Sequence, residues 1–355
     1  MRVLLIRSDM KLAGPAKLMH AYATALRERG HEIVVVSGGG AYVPTLVADG
    51  FRHHEIPDLQ VQARRPLSML ATVAAIRRLL RRHRIEVVNS FNAHAGWMAA
   101  FADPFNRCRH FNTVLGTGKE RANRLLPGRI FAVSESVRGR LIEAGVASAK
   151  ISVVHNATLE PRFFAPPAPA SAPADQADRP VRLISVAMFT GQKGHELVLP
   201  LVAALCHDRG RNVELTLVGD GVTRRQCEQQ ARDLGIADRV TFTGALPDVV
   251  PHLDGADIFV HLPEFETFGI VLAEAMARGL PVLSVKVGGI PEVVEDGRTG
   301  LLVDRSDPAD QLDAADRLVG DKALRLSFGT RGRDRARALF SLERLGETLD
   351  RLYRI

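Results

Sequence analysis

Short apolar runs alternate with amphipathic stretches along almost the whole chain. In the first half, Val3-Leu-Leu-Ile6, Glu32-Ile-Val-Val-Val36, Val87-Val88, Phe111-Asn-Thr-Val114, Ile130-Phe-Ala-Val133 and Ile151-Ser-Val-Val154 have the length and β-branched content of buried strands. Helical periodicity fills the gaps near 15–30, 67–84, 94–103 and 135–145. Strand and helix in turn predict a parallel sheet covered on both faces. The pattern breaks at 161–180, where six prolines and many alanines exclude helix and strand interiors, so the stretch reads as a linker. It then restarts, with strands at Val181–Val186, Glu214–Val218, Val240–Phe242, Ile258–Val260, Pro281–Val285 and Gly300–Val303. Helices are predicted near 194–209, 223–234, 247–253, 268–279, 308–318 and 321–338, and one more from Ser341 to Ile355. The result is two α/β domains of similar size, with a cleft between them as the default ligand site.

Within this pattern, Pro263-Glu-Phe-Glu-Thr-Phe-Gly-Ile-Val-Leu-Ala-Glu274 carries the most chemistry. A strand leads into a Thr-Phe-Gly turn that opens an apolar helix, which ends at Gly279 with Pro281 just beyond. Loops that feed helices in α/β units bind ligands, and a helix N-terminus attracts phosphate. Glu266 stands before that anion site. Glu274 lies about 9 Å along the helix axis, leaning back toward its start. A ligand with hydroxyls at both ends and a diphosphate between them fits this spacing, and a nucleotide sugar is such a ligand.

Charge adds a second asymmetry. Residues 1–160 carry 23 Lys and Arg against 12 Asp and Glu, whereas residues 161–355 carry 24 against 28, so the first half is suited to an anionic partner. Seven of its arginines lie between Arg64 and Arg84, around a potential amphipathic helix at Leu67–Leu80. Two readings stay open: a solvated helix face, or a face that lies on an anionic membrane surface. Aromatic residues make up only 5% and do not interleave with the basic run, which argues against nucleic acid. Three cysteines without ligand-like spacing point to a reducing compartment, and Met1–Ile6 is too short for a signal-peptide core. No apolar stretch approaches a membrane span. The expected location is the cytoplasm, with a peripheral position at the cytoplasmic face of the membrane if the arginine-rich helix serves as an anchor.

Several strings, in this order, resemble the retaining glycosyltransferases of family 4. They are Gly30-His-Glu32, Ala132-Val-Ser-Glu135, Val153-Val-His-Asn-Ala157, Lys193-Gly-His-Glu196, Val218-Gly-Asp-Gly221, the E-x7-E element Glu266–Glu274 and Gly288-Gly-Ile-Pro-Glu292. The resemblance implies an α/β GT-B fold of two facing Rossmann-like domains with parallel sheets and an interdomain cleft. Residues 1–160 would bind the acceptor, 161–180 would link, 181–338 would bind the donor, and helix 339–355 would return to the first domain. It implies a donor such as a UDP- or GDP-sugar, no cofactor and no metal, and as acceptor a hydroxyl of a cell-surface glycan or lipid-linked molecule, in polysaccharide or lipopolysaccharide biosynthesis. Glu266 and Lys193 become the expected catalytic pair. Gly14, Gly219, Thr267, Phe268, Gly269, Ile270 and Glu274 join them in donor binding, with Glu274 on the ribose hydroxyls and Lys193 on the departing diphosphate. His94 is a candidate for the acceptor side.

Three positions depart from the family pattern. Met188 stands where an Arg is usual, Ala13 replaces the first of two glycines so that only Gly14 remains, and Leu115 replaces a histidine. Lys11 or Lys17 could supply the missing cation. These departures leave two alternatives to transfer: a non-catalytic nucleotide-sugar-binding protein, or a GT-B nucleotide-sugar epimerase.

Overall fold

The computed structural model describes residues 1–11, 14–60, 66–116, 118, 120–157, 161–165 and 179–355. The chain divides into two compact units, Met1–Leu159 with Ser341–Ile355, and Glu160–Phe340. Most of the proline-rich stretch, with Arg64, Arg65 and Ala13, lies outside the described residues.

The first unit is built on seven parallel strands: β1 (Arg2–Arg7), β2 (Glu32–Ser37), β3 (Arg52–Glu55), β4 (Val87–Ser90), β5 (Arg109–Val114), β6 (Arg129–Ala132) and β7 (Ile151–Val153), in the order β3-β2-β1-β4-β5-β6-β7. Its helices are α1 (Gly14–Glu28), α2 (Val43–Ala48), α3 (Pro66–Arg82), α4 (Ala93–Ala102) and α5 (Glu135–Glu143). The strands predicted from apolar runs are all present. The polar edge strand β3 and the short α2 are additions. One side of the sheet packs Leu4, Ile6, Val34, Val36 and Val88 against Ile76 and Leu80 of α3 and Met98 of α4.

The second unit has six parallel strands: β8 (Val181–Val186), β9 (Val213–Val218), β10 (Val240–Gly244), β11 (Ile258–His261), β12 (Val282–Val285) and β13 (Gly300–Val303), in the order β10-β9-β8-β11-β12-β13. Its helices are α6 (His195–His207), α7 (Arg224–Asp233), α8 (Val250–Asp254), α9 (Ile270–Ala277), α10 (Ile290–Val293), α11 (Pro308–Gly320) and α12 (Lys322–Phe340). Residues 161–164, inside the expected linker, form a 3-10 turn that belongs to this unit. The buried Arg278 holds it: the guanidinium donates to the carbonyls of Arg162, Phe163 and Ala165 and pairs with Asp254 at 2.6 Å.

The last helix, α13 (Leu342–Arg354), belongs to the first unit. Ser341 caps it, its Oγ accepting from the Arg344 N–H at 3.3 Å. Leu342, Leu345, Leu349 and Tyr353 recur on one face and are all buried. The Tyr353 ring lies against Phe111 and Phe131, and Asp350 pairs with His31 at 2.9 Å.

Candidate active site

Strand order decides where the second unit gathers its chemistry. β9 lies on one side of β8 and β11 on the other, so the order in which strands are added switches sides at β8 while every strand stays parallel. In open parallel sheets such a switch point opens a crevice beyond the carboxyl ends of the strands, where ligands bind. The loop after β8 carries Lys193, and the loop after β11 carries Glu266. The two loops are joined by a backbone bond from Glu264 N to Gln192 O at 2.9 Å. Their side chains meet: Lys193 Nζ donates to Glu266 Oε2 at 2.8 Å. Glu266 is further fixed by the Thr267 N–H, which donates to Oε1 at 3.0 Å, and by Gly289 N–H donating to its carbonyl at 2.9 Å. Gly288, beside it, has φ +54° and approaches so closely that a Cβ would fall 1.9 Å from the Glu266 carbonyl oxygen.

The turn after Glu266 launches α9. Phe268 is buried edge-on against Phe340, with ring centroids 5.4 Å apart, so its side chain anchors the turn in the core. Gly269 takes a left-handed conformation as N-cap, and the helix begins at Ile270, two residues later than the apolar pattern predicts. Glu274 is therefore the fifth residue of α9, about 6 Å along its axis and not about 9 Å. It is buried among Leu272, Ala273, Ala275 and Met276, each fully inaccessible. A carboxylate in such surroundings is rare without a task.

Electrostatics single out the same corner. Burial opposes ionisation of Glu266 most strongly, but His261 and Lys193 outweigh it and bring the carboxyl down to about 2. His261, the last residue of β11, is buried, with its Nε2 3.8 Å from Glu266 Oε2. Burial lowers its imidazole below the ordinary range, opposed by Glu266 and reinforced by Lys193. His195 opens α6 and stacks on Phe189 with ring centroids 4.1 Å apart; burial first, then His261 and Lys193, push it down to about 4. Sequence reasoning gave neither histidine a role. His261 lies just past the predicted strand Ile258–Val260, and His195 reads as part of a glycine turn.

The remaining candidates divide between the units. Gly219 leaves β9 with its N–H donating to Gly244 O at 2.9 Å, and a Cβ there would fall 1.9 Å from the Ala187 carbonyl. Its lack of a side chain is thus explained by packing against the loop after β8. Met188, in that loop, is 60% exposed. Gly14, at the start of α1, and the half-buried His94 on α4 belong to the first unit, as do the exposed Lys11 and Lys17.

Comparison with known proteins agrees with this architecture. Residues 13–158 match the model of Glycosyltransferase Family 4, and residues 171–335 that of Glycosyl transferases group 1. The chain belongs to family 4 of the glycosyltransferases. It is 37% identical over 142 residues, 40% of the chain and 37% of the relative, to an N-acetyl-alpha-D-glucosaminyl L-malate synthase of Bacillus anthracis. It is 35% identical over 167 residues, 47% of each protein, to the lipopolysaccharide core biosynthesis glycosyltransferase LpsE of Rhizobium meliloti. The family 4 chain thus matches less than half the length of these curated relatives. Among solved structures, Anabaena HepE in complex with UDP has a TM-score of 0.85 at 18% identity, covering 99% of each chain. WaaG, a glycosyltransferase involved in lipopolysaccharide biosynthesis, has a TM-score of 0.73 at 17% identity, again over 99% of each. At this identity the likeness concerns the fold, and the fold is GT-B.

Proposed function

We propose that the protein transfers a glycosyl unit, with retention of configuration, from a nucleoside diphosphate sugar to a hydroxyl of a glycan or lipid-linked acceptor. The observation that carries this reading is the meeting of Lys193 and Glu266 at the β8/β11 switch point, directly before the N-terminus of α9. Family 4 membership supports a glycosyl transfer, and the UDP and UDP-glucose in the HepE complexes support a nucleotide-sugar donor.

In this reading the diphosphate lies at the amino end of α9, where the helix dipole and the Lys193 ammonium stabilise charge that grows as the glycosidic bond breaks. Glu274 accepts hydrogen bonds from the ribose diol, for which two carboxylate oxygens are suited. Glu266 faces the donor sugar beside the reacting carbon. The leaving phosphate oxygen takes the acceptor proton, so catalysis comes from orientation and charge stabilisation without a dedicated base or a metal. Incubating purified protein with a panel of nucleotide sugars, with and without chelator, tests this. Donor hydrolysis or transfer that survives the chelator and yields product of unchanged anomeric configuration is expected. Absence of donor binding across the panel would sink it.

A membrane-borne acceptor is favoured by α3. Its exposed arginines Arg78, Arg81 and Arg82 share the helix with Leu67 and Leu70, which are 81% and 67% exposed. Among the described residues no helix is long and apolar enough to cross a membrane. Sedimentation with anionic vesicles but not with zwitterionic ones is the expected result. Sedimentation with neither would return α3 to the solvated-face reading.

A further inference from the structure

Beneath the Lys193–Glu266 pair lies a polar layer that the chemistry above does not use. Among the described residues, neither ring nitrogen of His261 has a hydrogen-bond partner, and neither does either nitrogen of His195. The titratable groups that face His261 are Glu266 from the β11–α9 loop, Lys193 from the β8–α6 loop and His195 from α6. From β12 comes only Ser284, whose hydroxyl donates to the His261 main-chain carbonyl at 2.5 Å. The buried imidazole, without partners and 3.8 Å from a largely buried carboxylate, is too far for a hydrogen bond and close enough to form one after a small rotation.

Glu266 already has a cation in Lys193, and a protonated His261 would place a second positive charge beside it. Burial keeps the imidazole neutral under these conditions. A donor diphosphate changes the balance, because it competes with Glu266 for the same ammonium. Once Lys193 turns to the phosphates, Glu266 is left as a largely buried carboxylate without a counter-ion. His261 is then the near group able to become one.

Resting on the donor reading above, we infer that His261 is a positioning residue for Glu266: it takes a proton from solvent on donor binding, and its Nε2–H then holds the carboxylate in place of Lys193. The repulsion from Lys193 is removed while the attraction of Glu266 remains, so the sign is toward protonation. Donor binding therefore takes up protons at pH values between the imidazole's depressed free value and its raised bound one. Within that window affinity tightens as pH falls, by at most tenfold per pH unit for one linked proton.

The test is calorimetric titration of the intact protein with UDP-glucose, UDP-N-acetylglucosamine and GDP-mannose, whose diphosphates are substituted at both ends and have no ionisation near neutrality. Repeating each titration between pH 6 and 8 in buffers of different ionisation enthalpy counts the protons. Net uptake approaching one proton per donor is expected for the native protein, and uptake lost with binding retained for His261→Asn. Donor binding without uptake at any pH overturns the inference alone, as does unchanged uptake in His261→Asn. The wild-type count decides by itself if that variant does not fold. A native protein that binds none of the three donors overturns the donor reading and this inference together.

Discussion

Lys193 and Glu266, 73 positions apart in sequence, form an ion pair at 2.8 Å because β8 and β11 are neighbours in the sheet. Removing one partner of a buried pair leaves the other charged and unsolvated, which costs 3–5 kcal/mol when burial is complete. Lys193 keeps 28% of its side-chain exposure, so the cost here is smaller, about 2 kcal/mol. Lys193→Met is expected to lower the urea midpoint of the second unit, and Glu266→Gln added to it should recover most of the loss. Equal midpoints for Lys193→Met and the native protein would remove the energetic importance of the pair.

Glu274 offers a cleaner test of donor geometry, since it lies within α9 and outside the Lys193 ion pair. Hydrogen bonds to a charged group contribute roughly 1.5–3 kcal/mol each. Glu274→Gln keeps the volume and one acceptor oxygen, so donor affinity should fall by about tenfold or more, with little change in fold. An unchanged dissociation constant in equilibrium binding would remove the ribose assignment.

The backbone support of Glu266 makes a sharper demand. Gly288 sits where a methyl would meet the Glu266 carbonyl oxygen at 1.9 Å, and its φ of +54° disfavours any side chain. Gly288→Ala must displace the β11–α9 loop. Donor affinity is expected to fall at least tenfold while the circular dichroism of the sheet and helices persists. Retained affinity would mean that the loop relaxes without moving the site.

The apolar pattern revealed the sheets because both are parallel and covered on both faces, which makes their strands continuous hydrophobic runs. It missed β3, Arg52-His-His-Glu55, because this edge strand has only β2 as a neighbour and carries no apolar residue. Lys193, Glu266 and Glu274 were legible as members of ordered strings. The contact of Lys193 with Glu266 was not, because it depends on strand order, and nothing in the alternation of strands and helices states that β8 adjoins β11. His261 was invisible for a related reason. A histidine just after an Ile-Phe-Val run carries no signal of its own, and its importance comes only from the carboxylate that the next loop folds back over it.

Acid sensitivity should report the buried imidazoles. His195 is held down to about 4 against an ordinary 6.5, and His261 is lowered as well. The unfolded chain then binds more protons than the folded one between these values. Stability is complete above about pH 6.5 and declines as pH falls toward about 4. For His195 alone the loss is roughly 3 kcal/mol. His195→Leu keeps an apolar surface against Phe189 and should flatten this slope in denaturant titrations across the range. An unaltered slope would assign the acid sensitivity to other groups.

Met188 marks the departure from the family pattern with the clearest chemical consequence. It is exposed in the same loop as Lys193, at a position where an arginine is usual in the family. With methionine there, Lys193 is the cation of the two that remains, and it is already engaged by Glu266. A guanidinium at 188 would bind phosphate oxygens through two parallel donors and would not compete with Glu266 for the lysine. Because Met188 is exposed, Met188→Arg should cost little stability. Donor affinity is expected to rise by about tenfold, the scale of one charge-assisted contact. The gain should shrink at high ionic strength, as a partly solvated charge requires. Binding isotherms of the variant and native protein at low and high salt check both statements, and no gain at low salt would place the diphosphate away from this loop.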